Sequence, residues 1–197
     1  VNVLHDAMIP DFNSLVLKNC MDGDIKVAVK MVDEMSQWGQ VLSTSSASIL
    51  IKRLSGSHIN IKTINSVLEK LPYLIYQLDQ GALNKLVQKY SRRGCTCRAK
   101  LIFDNMIRMK LEIENETYSA LLISLCKRAN LRSFQLCWEV AHNSIWLPAL
   151  KDGKDLLNCL CQPKLLKEAV ELLEAILMGF RCKPLDACNV LIEKRCF

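Results

Sequence analysis

A leucine returns every 35 or 36 residues along this chain: Leu15, Leu50, Leu86, Leu121, Leu156 and Leu191. Units counted from Ile9, Thr44, Gln80, Asn115, Leu150 and Leu185 place all six at the seventh position. Six leucines in one register arise by chance with a probability on the order of 10⁻⁵, so the period is a property of the chain. It restricts the fold severely. A unit this short cannot bury its own apolar surface and must stack on its neighbours to make a core.

Around each leucine the apolar residues fall at i, i+3, i+4 and i+7. The sets are Phe12, Leu15 and Val16; Ala47, Leu50, Ile51 and Leu54; and Leu83, Leu86, Val87 and Tyr90. The series continues with Tyr118, Leu121, Leu122 and Leu125, and with Leu156, Leu157 and Leu160. This spacing predicts one amphipathic helix per unit. A second stripe of the same kind follows in each unit: Ala28, Met31, Val32 and Met35; Ala99, Ile102, Phe103 and Met106; Phe134, Cys137, Trp138 and Ala141; Ala169, Leu172, Leu173 and Ile176. Each unit therefore reads as a helical hairpin. Gly23, Gly94 and Pro163 stand between the two helices as breakers. One unit has an extra residue, which fits the turn at Gly56, Ser57 and His58 and brings Ile64, Val67, Leu68 and Leu71 into step.

Composition agrees with that pattern. Half of the 197 residues are apolar, against only 7 Gly and 5 Pro, which excludes a disordered chain and a turn-rich all-β protein. No apolar run approaches the roughly 18 residues that cross a bilayer. The expected fold is all-α, a right-handed α-solenoid of stacked two-helix repeats of 35 residues. Residues 1–8 read as the tail of a preceding repeat, followed by repeats at 9–43, 44–79 (the one with the insertion), 80–114, 115–149 and 150–184. Residues 185–197 read as the first helix of a truncated sixth repeat, so the chain is expected to be part of a longer array whose exposed stacking ends could dimerise artificially.

Four stretches carry a closer likeness: Tyr118-Ser119-Ala120-Leu121-Leu122-Ile123-Ser124-Leu125-Cys126-Lys127; Leu160-Cys161 through Lys167-Glu168-Ala169-Val170-Glu171-Leu172-Leu173; Arg98-Ala99-Lys100-Leu101-Ile102-Phe103-Asp104-Asn105-Met106; and Asp11-Phe12-Asn13-Ser14-Leu15. In these the chain resembles the pentatricopeptide repeat family over nearly its whole length. The resemblance implies single-stranded RNA as partner, in a plant or other eukaryotic organelle, the mitochondrion ahead of the chloroplast. The function it implies is guiding RNA processing, stability, splicing or translation, with one base read per repeat. It also implies that the fifth and last residues of a unit form the reading pair: Asn13 with Ser43, Ser48 with Asp79, Asn84 with Glu114, Ser119 with Ala149, and Lys154 with Pro184. Asn13 with Ser43 suggests a pyrimidine and Ser48 with Asp79 a guanine. Ser119 with Ala149 lacks the second polar group, and Lys154 with Pro184 departs from a reading pair. The second place, usually aliphatic in the family, holds Pro10, Ser45, Gly81, Glu116 and Lys151.

The spacing supplies its own reason for a polar row. Asn13, Ser48, Asn84, Ser119 and Asn189 lie about 100° round the helix from the start of the apolar stripe, at its edge. There they either face a groove or cap the first turn. The net charge is +6, and its excess falls on the first helices, whereas the second helices are neutral as a set. In the family the first helices line the groove, which makes Lys52, Arg53, Lys89, Arg92, Arg93, Lys127 and Arg128 candidate phosphate contacts. The alternative for each is a solvated cation favouring a helix C-terminus.

The 10 Cys form no metal-ligand spacing. Cys20, Cys126, Cys161 and Cys196 share the twelfth place, with Ser55 and Ser91 filling it elsewhere, and read as small packing residues. His5, His58 and His142 are isolated, and Trp38, Trp138 and Trp146 read as core or edge residues of the second helices. No cofactor, metal or catalytic group is expected. The competing reading is a protein-interaction scaffold built on the same hairpins.

Overall fold

The structure is a computed structural model that describes residues 10–180 apart from 57, 145 and 162–164. The described residues form eleven helices and no strand. They divide into two compact units, Val1–Leu83 and Asn84–Phe197. The proposed tail at 1–8 and helix at 185–197, with Leu191, Cys196, Pro184 and Asn189, lie outside the described residues.

In the first unit α1 (Phe12–Asp22) packs on α2 (Ile25–Gln37) and on α3 (Thr44–Leu54), which in turn meets α4 (Ile61–Lys70) and the short α5 (Leu74–Gln77). Short polar side chains start these helices: Asp11, Ser43 and Asn60 accept the N–H of Ser14, Ser46 and Lys62. α4 stops at Lys70 because Pro72 disfavours the helical conformation at Leu71 and cannot donate to the ladder.

In the second unit α6 (Gln80–Arg92) continues from Asn84 into α7 (Thr96–Arg108), α8 (Asn115–Lys127), α9 (Leu131–Asn143), α10 (Leu150–Leu160) and α11 (Leu166–Phe180). α8 is the centre of this stack, packing on α7, α9 and α10, and α10 packs on α11. An aromatic cluster fills the space beside it. Tyr118 meets the Phe103 ring edge-on at 5.7 Å and Trp146 at 6.5 Å, and Trp146 meets Trp138 at 5.7 Å.

Leu50, Leu86, Leu121 and Leu156 are all fully buried. Leu15 is a correction: it is 38% exposed, because α1 has packing partners in α2 and α3 and no described element covers its other side. The shared twelfth place also divides. Cys20 and Cys126 are buried as packing residues, whereas Cys161 is only partly covered. Ser91 at that place is buried and its hydroxyl has no hydrogen-bond partner among the described residues. Trp138 and Trp146 are core residues and Trp38 is exposed.

The turns after α1, α6 and α8 each hold one left-handed residue, Gly23, Gly94 and Ala129. Gly94 has φ 73° and lets Cys95 N–H reach the Tyr90 carbonyl at 2.9 Å. Ala129 occupies the same place one unit later at φ 53°, with Asn130 N–H on the Leu125 carbonyl at 3.1 Å. An alanine Cβ in this region costs about 1 kcal/mol that glycine avoids. Ala129→Gly is therefore expected to stabilise the chain by about 0.5–1 kcal/mol, read as a higher urea midpoint at unchanged slope.

Candidate nucleic-acid interface

Three of the five pairs formed by fifth and last residues are brought into contact, by an arrangement common to all three. Asn13 Oδ1 accepts the Ser43 N–H at 2.7 Å, and its Nδ2 donates to the Val41 carbonyl at 3.2 Å. Ser48 Oγ accepts the Asp79 N–H at 2.9 Å. In the second unit Asn84 Oδ1 accepts the Glu114 N–H at 3.0 Å and the Thr117 hydroxyl at 2.7 Å, while its Nδ2 donates to the Glu112 carbonyl at 3.1 Å. The physical reason is local. The fifth residue sits where the helix edge meets the loop that closes the unit, and that loop presents a backbone N–H in need of an acceptor.

This corrects the expectation that the row faces an open groove. Ser48 and Asn84 are 1% exposed and Ser119 is fully buried. Ser119 departs from the others, since its Oγ donates to the Asn115 carbonyl at 2.9 Å and accepts the Trp146 indole N–H at 3.3 Å. Only Asn13 of the described row stays partly exposed. The last residues of the pairs, Ser43, Asp79 and Glu114, are exposed, as is Ala149. Solvent, or a ligand, therefore meets the last place before the fifth. The Lys154 pairing with Pro184 lies outside the described residues on the proline side.

Those exposed members also carry structural bonds. Ser43 caps α3, and Glu114 Oε2 accepts from Gln88 Nε2 at 3.0 Å with Lys85 at 3.6 Å. Asp79 accepts the Ala82 N–H at 2.7 Å and pairs with Lys52 at 2.9 Å. Burial opposes the Asp79 charge, but Lys52, the Ala82 N–H and the Ser48 hydroxyl outweigh it and hold the carboxyl below the ordinary carboxylate range. A depressed carboxylate stabilises the folded state above its unfolded pKa of about 3.9 and loses that contribution as pH falls through the lower folded value. Asp79→Asn is thus expected to unfold at a lower temperature than the parent chain at pH 7. The gap should close below about pH 4, measured by thermal melts across pH.

The basic residues separate in the same way. Lys89 departs from the other candidates: it is 4% exposed inside the second unit, and burial with the Arg93 charge pushes its pKa down, so it offers a phosphate little surface. Lys52 is held by Asp79, and Arg92 lies 3.8 Å from Glu116. Arg128 Nη2 donates to the Gly94 carbonyl at 2.8 Å, joining the turns of two successive hairpins. Arg53, Arg93 and Lys127 are exposed.

Within the second unit α6, α8 and α10 enclose a cavity of about 420 Å³, lined by Arg92, Lys127, Arg128, Lys151, Asp152 and Asp155 among others. Four cations against two carboxylates make it an anion-attracting groove. Lys151 is the member that sequence reasoning missed. It stands at the second place, judged above only for the missing aliphatic residue, although its position on a first helix was a usable signal.

No protein-family model matches the chain. A mitochondrial pentatricopeptide repeat-containing protein of Arabidopsis thaliana is 40% identical to it over 192 residues, which is 98% of this chain and 16% of that protein. The chain thus spans about a sixth of the length of that curated relative. Among solved structures, the pentatricopeptide repeat domain of Arabidopsis thaliana protein-only RNase P 1, in complex with tRNA, superposes with a TM-score of 0.74 at 14% identity, covering 93% of this chain and 98% of that one. The pentatricopeptide repeat protein PPR10, in complex with an 18-nucleotide psaJ RNA element, superposes at 0.62 with 18% identity, covering 94% of this chain and 30% of that one. At these identities the likeness establishes a fold of stacked helical hairpins.

Proposed function

The chain belongs to the pentatricopeptide repeat family, and on that premise we propose that it binds single-stranded RNA on the first-helix face of its second unit, without catalytic chemistry of its own. The observation that carries this reading is the groove across α6, α8 and α10, where Arg92, Lys127, Arg128 and Lys151 converge. Both solved neighbours hold RNA, and the curated relative is mitochondrial. A transcript of that organelle is therefore the proposed partner, and its processing, stability, splicing or translation the proposed outcome.

The geometry favours a backbone grip over tight base reading. Phosphates can reach the groove cations, while in that unit Asn84 and Ser119 are buried and bases meet the exposed last-place residues Glu114 and Ala149. A gel-shift series with mixed-sequence single-stranded RNA, run from low to high salt against duplex RNA of equal length, tests it. Binding to the single strand that weakens steeply with salt is the expected result. No binding at low salt overturns it.

The scaffold reading has its own support in the second unit, where Leu101 of α7 and Leu136 of α9 are 60% and 53% exposed on second helices. A protein partner that binds the chain with unchanged affinity in the presence of excess RNA, and is lost on Leu101→Asp, would favour it.

A further inference from the structure

Phosphate contacts alone cannot tell RNA from DNA, because both strands carry the same backbone charge. The groove across α6, α8 and α10 holds more than cations. Its lining includes two carboxylates, Asp152 and Asp155, which repel a bare phosphate. Asp152 lies in the first turn of α10, where an acidic side chain favours the positive end of the helix. Asp155 stands beyond the reach of that effect, exposed in the second turn, one turn after Lys151 and on the same face.

The α6 wall supplies a second and independent observation. Ser91 lines the same cavity and is 4% exposed, yet its hydroxyl has no hydrogen-bond partner among the described residues. Ser124, which also lines the cavity, is bonded to the Thr96 hydroxyl at 2.7 Å. Buried polar groups are paired as a rule, and an orphan beside a cavity marks a place where a ligand atom completes the bonding. Ala120 and Ile123 add apolar lining, and at about 420 Å³ the cavity is larger than a phosphate group fills and lies in the size range of small-ligand sites.

These parts together describe a ligand. It brings an anion for the cations, a donor for a carboxylate, an acceptor for a serine hydroxyl and an apolar face. One ribonucleotide carries all four, and its deoxy counterpart lacks the donor that the 2′-hydroxyl provides. Resting on the RNA-binding reading of this groove, we propose that the cavity is a ribose-selecting subsite: Asp155 accepts a hydrogen bond from the 2′-hydroxyl of one nucleotide, the groove cations hold its phosphates, and Ser91 donates to one of its oxygens. Preference for RNA over DNA then resides in this cavity.

The test compares three single strands of one sequence at one low salt concentration: RNA, DNA with deoxyuridine for uridine, and 2′-fluoro RNA, which keeps the sugar pucker of RNA but has no hydroxyl proton. The parent chain is expected to bind RNA at least about tenfold more tightly than either of the others, the effect of one hydrogen bond to a charged group. In Asp155→Ala the three affinities should fall within about threefold of one another. The lost negative charge strengthens all three alike, so the ratio reports the hydroxyl contact and not the field. Alanine suits an exposed helical position, and circular dichroism checks the fold. Ser91→Ala should weaken RNA binding by about threefold or more without lowering the melting temperature, since the hydroxyl it removes has no partner. Ser55→Ala, which removes an equally unpaired buried hydroxyl in the other unit, should leave the affinity unchanged. Equal binding of RNA and DNA, 2′-fluoro RNA bound as tightly as RNA, an RNA preference that survives Asp155→Ala, or an unchanged affinity in Ser91→Ala overturns the subsite and leaves the groove reading standing. A parent chain that binds no RNA at low salt overturns both.

Discussion

Asn84→Leu is expected to destabilise the second unit by about 2–4 kcal/mol, seen as a lower urea midpoint with little change in slope. Leucine matches asparagine in size but removes every polar contact at a site that is 1% exposed. The Glu114 N–H, the Glu112 carbonyl and the Thr117 hydroxyl each lose a partner. Thr117 is fully buried, and Gln88, also buried, donates to it at 2.9 Å and to Glu114 at 3.0 Å, so the loss spreads through one connected network. Asn84→Ser keeps an acceptor of the kind found at Ser48 and should cost about 1 kcal/mol. The pair of variants separates two roles for the fifth place. A residue that only read a base would alter RNA affinity and leave the urea midpoint where it was.

Lys127→Gln combined with Lys151→Gln is expected to weaken single-stranded RNA binding at low salt by about tenfold or more. It should also flatten the dependence of log affinity on log salt by about 1.4. That figure comes from two phosphate contacts at about 0.7 each for a single strand. These two lysines are the informative choice because their neighbours in the groove have structural duties. Arg128 holds the Gly94 carbonyl and Arg92 lies against Glu116, so removing either would confound packing with binding. Lys89 is the internal control: being buried, it should leave the salt slope unchanged when replaced, whatever its effect on stability. An unchanged slope in the double variant would place the RNA elsewhere on the chain.

The helices themselves were legible because their signal is a short-range one. Apolar residues at i, i+3, i+4 and i+7 describe a single surface, and Leu50, Leu86, Leu121 and Leu156 are buried together as that surface requires. The candidate site was legible only in part. The pairing of Asn13 with Ser43, Ser48 with Asp79 and Asn84 with Glu114 was named from the sequence, and each pair does meet. What meets, however, is a side chain and a backbone N–H. No residue identity records that, since every residue but proline carries the same N–H. Lys89 shows the same limit for charge, because a lysine on a first helix looks alike in sequence whether it faces water or the stack.

The sequence by itself determined the period, the two helices in each unit and the excess of positive charge on the first of them. These follow from residue type and spacing along one helix. Tertiary structure alone decided which polar side chains are buried against a neighbouring hairpin and which cations share a groove. Each depends on partners some thirty residues away along the chain, brought close by stacking. A buried hydrogen-bonding group must then be satisfied by whatever the neighbouring hairpin presents.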